Sequence, residues 1–150
     1  MKHFFLTLTL FLLTLLPASA VKKIEANPIN IATVMVEKTD SAQIASTCEY
    51  YGYSYDGIVD GYTIMKHSNG SEIQFTFKDN ETNLKYPIIV IKISETHKAI
   101  DTRLKQLDFE KLGNIYTLMR NIHSRYITQC KFVHKSTLIF RRIKNLSLRN

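Results

Sequence analysis

The dipeptide Asn69-Gly70 stands between two runs of strand character, Tyr62-Thr63-Ile64-Met65-Lys66 and Glu72-Ile73-Gln74-Phe75-Thr76-Phe77-Lys78. Asn-Gly tolerates the positive φ angles that a tight antiparallel connection needs. The second run has period two, which puts Ile73, Phe75 and Phe77 on one face and polar side chains on the other. A chain with this hairpin at its centre is committed to an antiparallel sheet, one face in a core and one toward water.

The flanking segments supply helices and further strands. Ile31–Val36 is apolar and β-branched and predicts a strand. Asp40 with Gln43 three residues on makes a capping-box pattern, and Ile44, Cys48 and Tyr51 share one helical face before Gly52. Asp56-Gly57 and Asp60-Gly61 read as turns, and 79–85 as a polar loop. Pro87–Ile93 is apolar on both faces, as in a central strand with Pro87 at its margin. Ser94 or Thr96 opens a second helix with the stripe Ile100, Leu104, Leu107. Tyr116–Arg120, Arg125–Val133 and Thr137–Ile143 predict three more strands, and Leu146–Asn150 a frayed tail.

Two spacings repeat. "YTIMKH" begins at Tyr62 and "YTLMRN" at Tyr116, and the stripe Ile44, Cys48, Tyr51, Tyr53 recurs 56 residues on as Ile100, Leu104, Leu107, Phe109. These spacings predict an α+β fold of two β-α-β-β(-β) repeats, about 31–79 and about 86–144. They would form one antiparallel sheet of about six to seven strands with two helices packed on one face. The segments "GYTIMKHSNGSEIQFTF" and "GNIYTLMRNIHSRYITQCKF" resemble small exported bacterial proteins built from tandem units of a helix followed by antiparallel strands. Tandem helix-plus-strand architecture is also similar to secreted enzyme inhibitors of the β-lactamase-inhibitor type. The resemblance implies an architecture and carries no activity with it.

At the N-terminus, Lys2 and His3 precede a thirteen-residue run from Phe4 to Leu16, then Pro17 and Ala18-Ser19-Ala20. A basic start, a short apolar stretch and an A-x-A site predict a signal peptide over residues 1–20. A permanent span would need about twenty apolar residues. The expected mature chain, 21–150, is one α+β domain, exported to a periplasm or to the cell exterior. There Cys48 and Cys130 face an oxidising environment, and a disulfide between them is weighed equally with two buried thiols. The sequons at Asn69, Asn80 and Asn145 would be used only in a eukaryotic secretory route.

Charge divides the chain. Residues 21–100 hold eight lysines against ten acids, whereas residues 101–150 hold eleven basic residues against three acids. Arg120, Arg125, Lys131, Arg141, Arg142 and Lys144 fall on or beside adjacent strand candidates, where alternate residues share a face. Such a surface attracts an anionic glycan, a lipid headgroup or an acidic protein, or simply stays solvated. Nucleic acid is a poor partner for an exported chain. Among the crowded tyrosines, Tyr50 and Tyr55 are left for aromatic contact once Tyr51 and Tyr53 join the core.

Catalytic and metal patterns are weak. His67, His97, His123 and His134 lack zinc-protease spacing, and the cysteines are too far apart for a thiolate metal cluster. Cys48 lies within an apolar stripe, which argues for packing over nucleophilic chemistry. Asp56 and Asp60 precede glycines, as turn residues do. The expectation is therefore no catalytic, cofactor or metal site: an exported, non-catalytic binding or interaction protein of unknown partner. One alternative is an envelope-associated protein held to anionic surfaces by its basic C-terminal half. Another is a small hydrolase gathering His123 or His134 with an acid.

Overall fold

The computed structural model describes residues 27–120 and 123–146. The expected signal peptide, residues 1–20, lies outside them. Three helices and eight strands form an α+β fold. Helix α1 spans Pro28–Met35, α2 Ser41–Tyr50 and α3 His97–Gln106. The strands are β1 Tyr53–Val59, β2 Tyr62–His67, β3 Glu72–Asp79, β4 Thr82–Lys92, β5 Glu110–Leu112, β6 Ile115–Leu118, β7 Tyr126–His134 and β8 Thr137–Lys144.

Helix α1 corrects the strand expected over Ile31–Val36, and raises the helices from two to three. Asn27 caps it, accepting from the Ile29 N–H at 2.9 Å, and Pro28 fits the first helical position. Ile29, Ile31, Ala32 and Met35 are all buried, so the segment is surrounded by core. A helix buried on every side has no polar stripe, and its β-branched residues imitate a strand.

Helices α2 and α3 have equal length and begin 56 residues apart. Both have ten residues, and their caps, Asp40 and Thr96, accept from backbone N–H groups of the first turn. Ile44 and Cys48 are buried from α2, Ile100 and Leu104 from α3. Each helix then turns through a left-handed residue, Gly52 at φ 84° and Asp108 at φ 64°. Their N–H groups bond to Glu49 O at 2.9 Å and Lys105 O at 3.0 Å.

All eight strands lie in one antiparallel sheet in the order β1-β2-β3-β4-β8-β7-β6-β5. It is two meanders, β1–β4 and β5–β8, joined through their last strands. β4 is the last strand of the first meander and pairs with β8 of the second. β1 and β5 have no counterpart among the expected strands, and β4 starts earlier than expected. β1 runs through Asp56-Gly57, where a bulge and Gly57 at φ 134° absorb the supposed turn. β4 begins at Thr82, inside the expected loop, and Pro87 sits mid-strand beside a register shift where a missing N–H is tolerated.

Met65, Ile73, Phe75, Ile89, Ile91, Leu138, Phe140, Cys130 and Tyr116 face the helices and merge with their side chains into one core cluster. The 54-residue match between "YTIMKH" and "YTLMRN" joins the second strands of the two meanders, but out of phase. Tyr116 and Leu118 face the core, opposite Cys130 and Thr128. In β2 the core-facing residue is Met65, opposite Ile73, while Ile64 pairs with Gln74 on the other side. A one-residue slip reverses every side chain, so these letters coincide without equivalence.

Candidate functional site

The helices cover one face of the sheet. Across the other, cross-strand pairing sets Ile64, Gln74, Val90, Ile139, Lys131 and Ile115 in a row. A parallel row includes Ile88, Arg141, Gln129 and Thr117. Val90, Ile88, Ile139 and Ile115 are half-buried, and Ile64, 5% exposed, is buried outside the main core cluster. This face mixes β-branched apolar residues with charges among and beside them, and among the described residues no helix lies over it.

The register divides the basic residues expected to act together. Lys131 and Arg141 stand on the open face. Arg142 and Lys144 pair with Thr128 and Tyr126 and share the parity of Phe140, on the other face. Arg120 is bound to Glu37 at 3.1 Å, and the Arg125 carbonyl accepts from Asn145 N at 2.8 Å. Tyr50 and Tyr55 are 80% and 61% exposed, and Tyr50 makes an edge contact with Tyr51 at 5.0 Å.

The reactive groups are committed elsewhere. Cys48 and Cys130 are present as buried thiols, and Cys48 Sγ donates to Met35 Sδ at 3.5 Å. Burial, with Glu49 next in line, pushes the Cys48 thiol up to about 12, and burial pushes Cys130 up as well. Neither forms thiolate near neutral pH, the species a nucleophile or metal ligand requires. Asp101 receives Lys105 at 2.8 Å, the Tyr116 hydroxyl at 2.6 Å and Lys111 at 3.1 Å. Those donors, Lys105 first, hold its carboxyl well below the usual carboxylate range. His67 accepts from the Asn69 N–H at 3.1 Å, and His97 stacks on Phe132 at 4.1 Å. Among the described residues no three metal-ligating groups cluster, and no helix is long and apolar enough to cross a membrane.

One concave feature lies at the seam between the meanders. β4 pairs with β8 only from Ile89↔Phe140 to Lys92↔Thr137; toward Thr82 on β4 and Lys144 on β8 the pairing stops. A cavity of about 330 Å³ opens there, lined among others by Lys85, Tyr86, Tyr126, Arg141, Arg142 and Lys144. Tyr86 and Tyr126 meet edge to face at 5.0 Å. The Arg142 guanidinium lies 4.6 Å from the Tyr86 ring centre and 5.5 Å from that of Tyr126. Lys85 Nζ is 5.4 Å from the Tyr86 ring centre. Lys85, Tyr86 and Tyr126 escaped the sequence reading, because only the parting of two strands distant in sequence brings them together. The available signal was local: aromatic residues next to basic ones at strand ends.

No family model, curated protein or solved structure matches the chain.

Proposed function

We propose that this is an exported, non-catalytic binding protein whose contact surface is the helix-free face of the sheet. The observation that carries the reading is the row Ile64–Gln74–Val90–Ile139–Lys131–Ile115, in which half-buried Val90, Ile139 and Ile115 stand with Gln74 and Lys131 on a face that no helix among the described residues covers. Apolar side chains left partly open on a sheet face, rimmed by polar ones, are a usual feature of interaction sites. The partner it suits is a protein with an apolar patch and acidic margins. The non-catalytic part is supported by the sealed thiols and by the donors that saturate Asp101.

The test is capture from the native envelope by the mature chain, at low and at moderate salt. The wild type should retain one protein at both, and Val90→Lys should lose it while keeping its circular dichroism. Retention by folded Val90→Lys would end the proposal. A second reading, attachment to anionic surfaces, is favoured by Lys131 and Arg141, which form no ion pair among the described residues. Exposed charges are screened, so that attachment would be released by moderate salt and by Lys131→Glu with Arg141→Glu.

We also read the chain as a duplicated helix-plus-meander unit. Its support is the pair of capped ten-residue helices at an offset of 56 and the mirrored strand order about the β4–β8 seam.

A further inference from the structure

We propose that the seam cleft is a specific site for a phosphate monoester carried on a small, partly apolar body. The proposal goes beyond the protein-contact reading and does not rest on it.

Three observations combine. The first is charge: Lys85, Arg142 and Lys144, with Arg141 from the neighbouring face, line a space with one lining carboxylate, Asp79. Among the described residues none of the four forms an ion pair. Cations gathered without counter-charge repel one another, and an anion relieves that repulsion.

The second is Arg142. Its Nε is buried and has no hydrogen-bond partner. A buried donor left unsatisfied is costly and rare, and an absent ligand is one of its standard explanations. The Arg142 guanidinium carbon lies over both tyrosine rings, 4.6 Å from the Tyr86 centre and 5.5 Å from that of Tyr126. A guanidinium over aromatic rings can still offer N–H groups to an oxyanion in a bidentate fork, a geometry that lysine lacks.

The third is shape. The cleft is a gap between two strand edges, and Leu84, Pro87 and Ile143 add apolar wall to the tyrosines. About 330 Å³ suits a small molecule and is too little for a folded partner. A phosphate monoester, doubly charged and tetrahedral, matches several cations at one end while its organic body lies against the apolar wall. It has two natural sources, a free phosphorylated metabolite or a phosphorylated lipid headgroup.

The experiment follows the Arg142 Nε–H resonance in labelled protein, assigned by its loss in Arg142→Lys, during titration with phenyl phosphate. A saturable shift is expected, with a Kd of about 1 mM or tighter. Inorganic phosphate should compete, and neutral phenol should leave the signal in place. By calorimetry of phenyl phosphate binding, Arg142→Gln and the exposed double variant Lys85→Gln with Lys144→Gln should each weaken the affinity about tenfold or more. Sedimentation with phosphatidylcholine vesicles, with and without phosphatidic acid, separates the sources. Retention that needs both phosphatidic acid and Arg142 assigns a headgroup; phenyl phosphate binding without retention assigns a free monoester, and in either case the site stands. No saturable shift, equal response to phenol, or unweakened binding by the folded Lys85/Lys144 variant would overturn it.

Discussion

The meanders β1–β4 and β5–β8 each follow a ten-residue helix, yet they are held by different means. The first has strands of 7, 6, 8 and 11 residues. Its edge strand is bulged and carries the Asp56–Lys66 pair at 2.6 Å. The second begins with strands of 3 and 4 residues. There the ladder is too short to secure the edge, and Asp101 on α3 takes over by binding Lys111 of β5 and Tyr116 of β6. At the offset of 56, α2 has Ala45 in place of Asp101. Where the strands are long, ion pairs link neighbouring strands only; where they are short, one helix carboxylate serves three partners. The meanders also differ in charge, since the surplus of basic residues belongs almost entirely to the second.

The largest effect should come from the seam, where the meanders depend on each other. Phe140 is fully buried, faces the core opposite both Ile89 and Cys130, and makes an edge contact with Phe109 at 6.3 Å. Phe140→Ala should cost about 3–5 kcal/mol. Urea unfolding should still be one transition; two separated transitions would mean that the meanders fold independently.

The helical stripes offer a like-for-like comparison. Ile44 and Ile100 are both fully buried, one per helix. Ile44→Ala and Ile100→Ala should each cost about 2–5 kcal/mol. A large cost at one and almost none at the other would break the equivalence of the two helices.

The helix exits should separate with opposite signs. Both use a left-handed residue, glycine in one and aspartate in the other. Gly52→Ala should destabilise by about 1–2 kcal/mol, because φ is 84° and a Cβ would come within 3.0 Å of His67 Nε2. Asp108→Gly relieves the same backbone strain and should stabilise by up to about 1 kcal/mol, read from the shift in urea midpoint.

The smallest effect concerns the tether. The Asp101 carboxyl titrates below its unfolded value, so its contribution is complete above about pH 4 and disappears as pH falls through the folded-state value. Asp101→Asn should therefore be less stable than wild type at pH 7, with the deficit shrinking on acidification. A deficit constant with pH would assign the effect to lost packing.

Much of the fold could be read from local chemistry. The Asn-Gly hairpin, the strictly alternating Glu72–Lys78 run, the caps Asp40 and Thr96 and both helical stripes carry their signals within a few residues. Other features failed for equally local reasons. α1 is apolar on all sides and so lost its period, while β1 contains an Asp-Gly that resembles a turn until its partner β2 imposes a bulge. The candidate surfaces were legible only as ingredients. Lys131 and Arg141 could be named from the sequence, but their separation from Arg142 and Lys144 depends on the β7–β8 register. The Tyr86–Tyr126–Arg142 cluster depends on where β4 leaves β8.

Lysine acetylation footprinting, with and without native envelope extract, addresses the central functional claim most directly. Lys66, Lys92 and Lys131 share the helix-free face, whereas Lys98 and Lys105 belong to α3. The extract should shield the first three and leave the α3 pair as reactive as before. Shielding of Lys98 and Lys105 with Lys131 unaffected would put the contact on the helical side and contradict that claim.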